Sequence, residues 1–248
     1  MRDLLIISIV AVAAVLALRR PWVGVLLWTW LSIMNPHRFA WGIAYSAPLA
    51  AIAAGCTLVG LIFTRERQSP FQGPPVTIFV MLALWITVSW LLGVDVDGDY
   101  PQWTKVMKIY FMTLVALCLL RTKQQIVAFA WVTTGSLALL GAKGGLFTIL
   151  TGGSYRVWGP PESFIADNNE FALSLIMAIP LMYFLLQQLT KRWQKHIMAA
   201  TMLLCVAAAA GSQSRGALVA IVGMGSVFWW RSRNKLTVAV IICLLSVF

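Results

Sequence analysis

Long apolar runs separated by short polar stretches recur from one end of the chain to the other, at 4–18, 22–34, 43–63, 76–92, 107–120, 126–140, 171–187, 197–210, 216–230 and from 236 onward. Such runs read as helices that cross a bilayer, because a helix satisfies its own backbone inside hydrocarbon. They predict an all-α protein, a polytopic membrane helix bundle of about ten transmembrane helices in a single transmembrane domain over residues 1–248. The first two fall short of the roughly 20 residues of a perpendicular span, so tilt or re-entry is expected there. The first run is followed by Arg19-Arg20-Pro21 and has no small-residue cleavage site, the pattern of a retained helix. The last run reaches Phe248 with no polar flank, which reads as a truncated helix in the N-terminal part of a longer protein.

Composition agrees: 60% of residues are hydrophobic and 11% charged, and the mean hydropathy is +0.83, outside the range of ordinary soluble domains. A net charge of +11 is compatible with nucleic acid, anionic lipid or membrane topology as its cause, and its distribution favours topology over nucleic acid. Alternate connections carry Arg19/Arg20, Arg65/Arg67, Arg121/Lys123, Lys191/Arg192/Lys195 and Arg231/Arg233/Lys235, which marks them as cytoplasmic. The opposite side then holds Arg2, Arg38, Lys105, Lys108, Lys143, Arg156 and Arg215 with every acid but Glu66, and the threading places the N terminus outside. Cys56, Cys118, Cys205 and Cys243 each lie in an apolar run without a CxxC pair and read as small core hydrophobes. His37 and His196 are too far apart in sequence to propose a metal site.

Candidate chemistry concentrates on the outer side. The longest outer connection, from about Lys143 to Glu170, contains Tyr155-Arg156-Val157-Trp158-Gly159-Pro160-Pro161-Glu162 and ends in Asp167-Asn168-Asn169-Glu170. It joins a guanidinium, aromatic rings and acids in one loop, where function tends to gather. The competing reading is an interfacial aromatic belt with Asp167 or Asn168 capping the next helix. Gly211-Ser212-Gln213-Ser214-Arg215-Gly216-Ala217 sets a second arginine at the bundle boundary, where it either snorkels to head groups or serves a ligand. In Asn35-Pro36-His37-Arg38, His37 is a possible proton shuttle, or simply a solvated loop residue. The run Asp95-Val96-Asp97-Gly98-Asp99 lacks the later ligands of a calcium loop and reads as a solvated turn. Two outer guanidiniums point to anion chemistry, since they clamp a diphosphate bidentately and neutralise the charge that develops as it leaves.

Several of these segments carry a resemblance. Met1-Arg2-Asp3-Leu4, Arg19-Arg20-Pro21-Trp22-Val23-Gly24-Val25 and Trp30-Leu31-Ser32-Ile33-Met34-Asn35-Pro36-His37-Arg38 look like the start of the exosortase A-associated O-glycosylation ligases. Arg156-Val157-Trp158-Gly159-Pro160, Asp167-Asn168-Asn169-Glu170 and Ser214-Arg215-Gly216-Ala217 resemble the wider O-antigen ligase and polymerase superfamily. The resemblance implies a GT-C-like glycosyltransferase, independent of metal and cofactor, of the bacterial inner membrane. It would move a glycan from undecaprenyl diphosphate to a protein or lipid acceptor on the periplasmic face. Family members are longer and carry a further outer loop with a second arginine and a histidine, so this chain alone is expected to bind the lipid without completing transfer.

The combined expectation assigns Arg215 and Arg156 to catalysis, with Arg215 at the position of the first family arginine. Tyr155, Trp158, Glu162 and Asn169 are expected to bind substrate, and His37 is held as a possible participant. A lipid-linked polysaccharide polymerase is the nearest alternative. A transporter or flippase for the same lipid belongs to another class, and the lack of mid-helix acids counts against proton coupling. A non-catalytic scaffold is a third.

Overall fold

The structure is a computed structural model and describes residues 2–231 except 66 and 72. The helices are α1 (Arg2–Arg19), α2 (Pro21–Met34), α3 (Ile43–Ser46), α4 (Leu49–Phe63), α5 (Pro74–Leu91), α6 (Val96–Leu119), α7 (Lys123–Leu150), α8 (Asn168–Gln188), α9 (Arg192–Gly211) and α10 (Arg215–Arg231), with a 3₁₀ turn at Pro36–Phe39. No strand occurs among the described residues. Helices α5, α7, α8 and α9 are each long and apolar enough to cross a membrane, while α2, α4 and α10 are shorter apolar helices. Helix α5 buries none of its residues, and Trp85 on it is 68% exposed, a surface suited to lipid contact. Among the described residues the fold is all-α, that of a membrane protein. The apolar run from 236 onward, Glu66, Arg233, Lys235 and Cys243 lie outside the described residues.

Three expected boundaries shift, each for a local reason. The run 43–63 is broken between α3 and α4 at Ala47-Pro48, because proline has no N–H to donate and drives the residue before it out of the helical region. Ala47 accordingly sits at φ −70°, ψ 135°. Helix α6 begins well before 107: Asp95 caps it by accepting from the Gly98 N–H at 2.9 Å, so Asp97 and Asp99 occupy its first turn, where the helix dipole favours acids. The supposed solvated turn is a helix start. Helix α7 runs on to Leu150, which places Lys143 on a helix and shortens the long connection to 151–167.

Contacts gather into two compact units, one formed by residues up to Thr29 with Ala40–Ala128, the other by Trp30–Phe39 with residues from Phe129 on. In the first, α1 packs on α4 through small residues. A Cβ on Gly60 would fall 2.4 Å from the Ala17 carbonyl oxygen, and one on Gly24 would fall 2.1 Å from the Thr57 hydroxyl. Small residues allow this approach, which gives dispersion contacts where no hydrophobic effect drives association. Helices α5 and α6 pair through stacked rings, Phe79 on Tyr110 at 4.1 Å and Trp90 on Trp103 at 4.4 Å. The Trp103 indole N–H donates to Thr87 at 3.2 Å.

In the second unit, α8 packs against α9 and α10, with Phe171, Leu175 and Met182 buried at the centre. Helix α7 meets α9 along Gly141, Gly144 and Gly145; a Cβ on Gly145 would lie 2.1 Å from the Leu204 carbonyl oxygen. Replacing Gly145 with Ala must displace the α9 backbone and is expected to destabilise by about 1–3 kcal/mol. At Gly135, on the same helix, nothing lies within 4 Å of a Cβ, and alanine there is expected to leave the melting temperature unchanged or slightly raised. Thermal unfolding of both variants in detergent checks this contrast.

Candidate functional site

The 151–167 segment lies across one end of the second unit, where local chemistry fixes its course. Helix α7 ends in two successive left-handed glycines, Gly152 at φ 60° and Gly153 at φ 74°. The Gly153 N–H returns to the Thr148 carbonyl at 2.9 Å, satisfying a helix-end carbonyl. The Val157 N–H then donates to the Gly211 carbonyl at the end of α9, at 3.0 Å. The Gly159 N–H donates to the Ala166 carbonyl at 3.1 Å, and a Cβ on Gly159 would lie only 1.7 Å from the Ile165 carbonyl oxygen, so no larger residue fits. Asp167 caps α8 by accepting from the Asn169 N–H at 2.8 Å. That bond leads the causes holding its carboxyl below the ordinary aspartate range.

Two asparagines tie this segment to its neighbours. Buried Asn168 donates from Nδ2 to the Ser212 carbonyl at 2.9 Å. Asn35 donates from Nδ2 to the Pro161 carbonyl at 2.8 Å. Beside it Arg38 and Glu162 form an ion pair at 2.5 Å. The non-glycine residues with positive φ among those described are Asn35, Glu162 and Gln213, at 49°, 55° and 54°. All three belong to this end of the unit, and each reaches across to another segment: Gln213 donates from Nε2 to the Gly153 carbonyl at 3.2 Å. Left-handed backbone at a non-glycine residue costs roughly 1–3 kcal/mol and persists where surroundings over-determine it, typically at functional sites.

These ties shape a cavity of about 230 Å³ lined by Phe39, Lys143, Phe147, Arg156, Trp158 and Pro160 among others. The Arg156 guanidinium lies over the Trp158 ring at 5.8 Å, and the Lys143 ammonium over the Phe39 ring at 5.3 Å. Two cations on two aromatic faces offer charge for an anion and flat apolar surface for a sugar ring. Of the residues singled out in the sequence, Arg156 and Trp158 line the cavity. Tyr155 is 65% exposed, tilted against Phe147 at 6.3 Å. Arg215 is exposed and opens α10, one residue after Ser214, whose hydroxyl accepts from the Ala217 N–H. A cation at that position opposes the helix dipole. The Val157–Gly211 and Gln213–Gly153 bonds bring the turn carrying Arg215 alongside the segment carrying Arg156.

Glu162 and Asn169 are engaged structurally, in the ion pair with Arg38 and in the α8 cap. His37 is not a solvated loop residue: it is buried, and its Nδ1 has no hydrogen-bond partner among the described residues. Burial first, then the Arg38 charge, pushes its pKa down, against a smaller upward pull from Glu162. Phe39, Lys143, Asn35 and Asn168 carry the site without having been assigned to it beforehand.

Two outcomes follow. Asn168→Ala leaves the buried Ser212 carbonyl unpaired and is expected to cost about 1–3 kcal/mol, measured as denaturant unfolding in detergent; Asn169→Ala should cost less. With its folded pKa lowered, His37 gives stability that is complete above the ordinary histidine value and is lost as pH falls through the folded value, because the unfolded chain binds the proton more tightly. Melting temperatures of His37→Gln should therefore fall less steeply than those of the parent below about pH 6.5.

A family model described only as a family of unknown function, DUF5935, matches residues 1–190 of the 248. No curated protein and no solved structure matches the chain.

Proposed function

We propose that this chain, which belongs to DUF5935, acts as a membrane glycan ligase. It would transfer a glycan from undecaprenyl diphosphate to a protein or lipid acceptor at the periplasmic face of the bacterial inner membrane. In this reading the fold is GT-C-like with about ten spans. The observation that carries it is the cavity in which Lys143 and Arg156 sit on aromatic rings, beside the turn that presents Arg215. Phosphate oxygens match the planar guanidinium fork, and sugar faces match Trp158. A transfer needs both together, since the bond that breaks joins a sugar carbon to a diphosphate oxygen.

Arg215 holds the diphosphate and neutralises the charge growing on the leaving oxygen as the acceptor hydroxyl attacks the anomeric carbon, the bond from that carbon to the diphosphate oxygen breaks, and the hydroxyl proton is released to water. Arg156 and Lys143 position the donor, while Trp158 and Tyr155 pack on its sugars. Glu162 pairs with Arg38 next to the Pro160-Pro161 turn, whose prolines line the cavity. A lipid-linked polysaccharide polymerase uses the same donor chemistry with a second lipid-linked glycan as acceptor.

Arg215→Ala and Arg215→Lys are both expected to lower glycan transfer in cells by about a hundredfold with expression unchanged, because lysine keeps the charge and loses the fork. Gel-shift or mass-spectrometric assay of acceptor glycosylation checks it, and a fully active Arg215→Lys protein contradicts the clamp. The topology has its own test: single cysteines at positions 97, 156 and 162 should react with an impermeant thiol reagent added outside, while those at 65, 121 and 191 should not.

A further inference from the structure

A second cavity lies in the first unit. Arg19 and Arg20, at the α1–α2 junction, and Arg65, just after α4, line an opening of about 540 Å³ together with Trp22, Thr64 and Gln125. Three arginines from two separate chain segments line one opening because the α1–α4 seam brings those segments together. Gly60 sits against the Ala17 carbonyl and the Pro21 ring, which brings the end of α4 onto the α1–α2 junction. Thr57, wholly buried, fills the gap beside Gly24. The Gln125 side-chain carbonyl already accepts from the Arg121 and Thr122 N–H groups at 2.8 and 3.0 Å, so its amide offers donors. No carboxylate lines the opening among the described residues; Glu66, next to Arg65 in sequence, lies outside them.

Topology alone needs positive charge near helix ends, and lysine or arginine serves equally well for that. It does not require arginines from two segments to share one cavity with a tryptophan and amide donors. Guanidinium groups bind phosphate oxygens in pairs of parallel hydrogen bonds, and the lining residues Trp22 and Phe63 suit the region between head groups and acyl chains. Basic pockets between helices near the cytoplasmic surface hold anionic head groups by this chemistry.

We propose that the Arg19/Arg20/Arg65 cavity is a binding site for a phosphate group, carried in a membrane by an anionic phospholipid and in water by inorganic phosphate. It is separate from the Arg156 cavity and does not depend on the ligase reading. Guanidiniums supply the charge and Gln125 a neutral donor.

The test titrates the full chain in detergent with cardiolipin, phosphatidylglycerol or phosphatidylcholine, reading bound lipid by native mass spectrometry, and separately with inorganic phosphate, reading thermal stabilisation. Both anionic lipids should be retained over phosphatidylcholine. The Arg19→Gln/Arg20→Gln/Arg65→Gln protein should lose that retention by about tenfold or more, whereas Lys191→Gln/Arg192→Gln/Lys195→Gln, with the same charge loss elsewhere, should stay near the parent. Stabilisation by phosphate alone assigns the site to the water-borne source, and retention of lipid without it assigns the site to the membrane. Equal loss in both glutamine proteins, or no preference for either anion, overturns the proposal. Should the glutamine protein fail to insert, the corresponding triple lysine protein keeps the topology charge, and retention equal to the parent's overturns it as well.

Discussion

The 151–167 segment holds its place through a small set of hydrogen bonds to main-chain carbonyls: Val157 to Gly211, Asn168 to Ser212 and Asn35 to Pro161. With the Arg38–Glu162 pair, the Gln213–Gly153 bond and buried Val157, they secure a loop that carries the exposed side chains Tyr155, Arg156 and Trp158. Hydrogen bonds of this kind contribute only about 0.5–1.5 kcal/mol each in net terms. Their leverage is geometric, because each lies at a residue already held in an uncommon conformation or at a helix end. Left-handed Asn35, Glu162 and Gln213 each have a side chain engaged with another segment at this end of the unit.

The glycine face of α7 sets the depth of that cavity. Gly144 admits Val157 and Ala208, and Gly141 admits Cys205, so the loop descends onto the helix ends instead of riding above them. Lys143 on the same turn of α7 is thereby placed over Phe39, and Arg156 over Trp158. A cation held over an aromatic face keeps its charge available while part of its hydration is lost, which strengthens what it offers to an incoming anion.

Much of the fold was legible because lipid imposes one rule, that apolar length means helix. Nine of the apolar runs meet helices in the described residues, and the departures are those that run-reading overlooks: Pro48 inside an apolar stretch, a polar helix start at Asp95, and an α7 tail disguised by glycines as a loop. The site was legible in part. Arg156 and Trp158 announced themselves as charge and aromatic where neither is needed, whereas Asn35 and Asn168 act through single amide bonds to carbonyls distant in sequence, 126 and 44 residues away. Nothing in local composition encodes such pairings. Lys143 was misplaced because Gly144-Gly145 reads as a loop opening, although in lipid those glycines are packing residues. His37 was read as a loop histidine because burial at a turn follows from what packs on it, which only the tertiary structure reveals.

The proposed ligase requires a diphosphate-linked glycan to occupy the cavity under the 151–167 segment. Photo-crosslinking with an undecaprenyl diphosphate-linked glycan bearing a diazirine on its first sugar, followed by peptide mapping of the protein in nanodiscs, tests this directly. Adducts within 155–161 and around Lys143, abolished by excess unlabelled lipid, are the predicted result. Competable adducts confined to other segments, with none on this one, would contradict it.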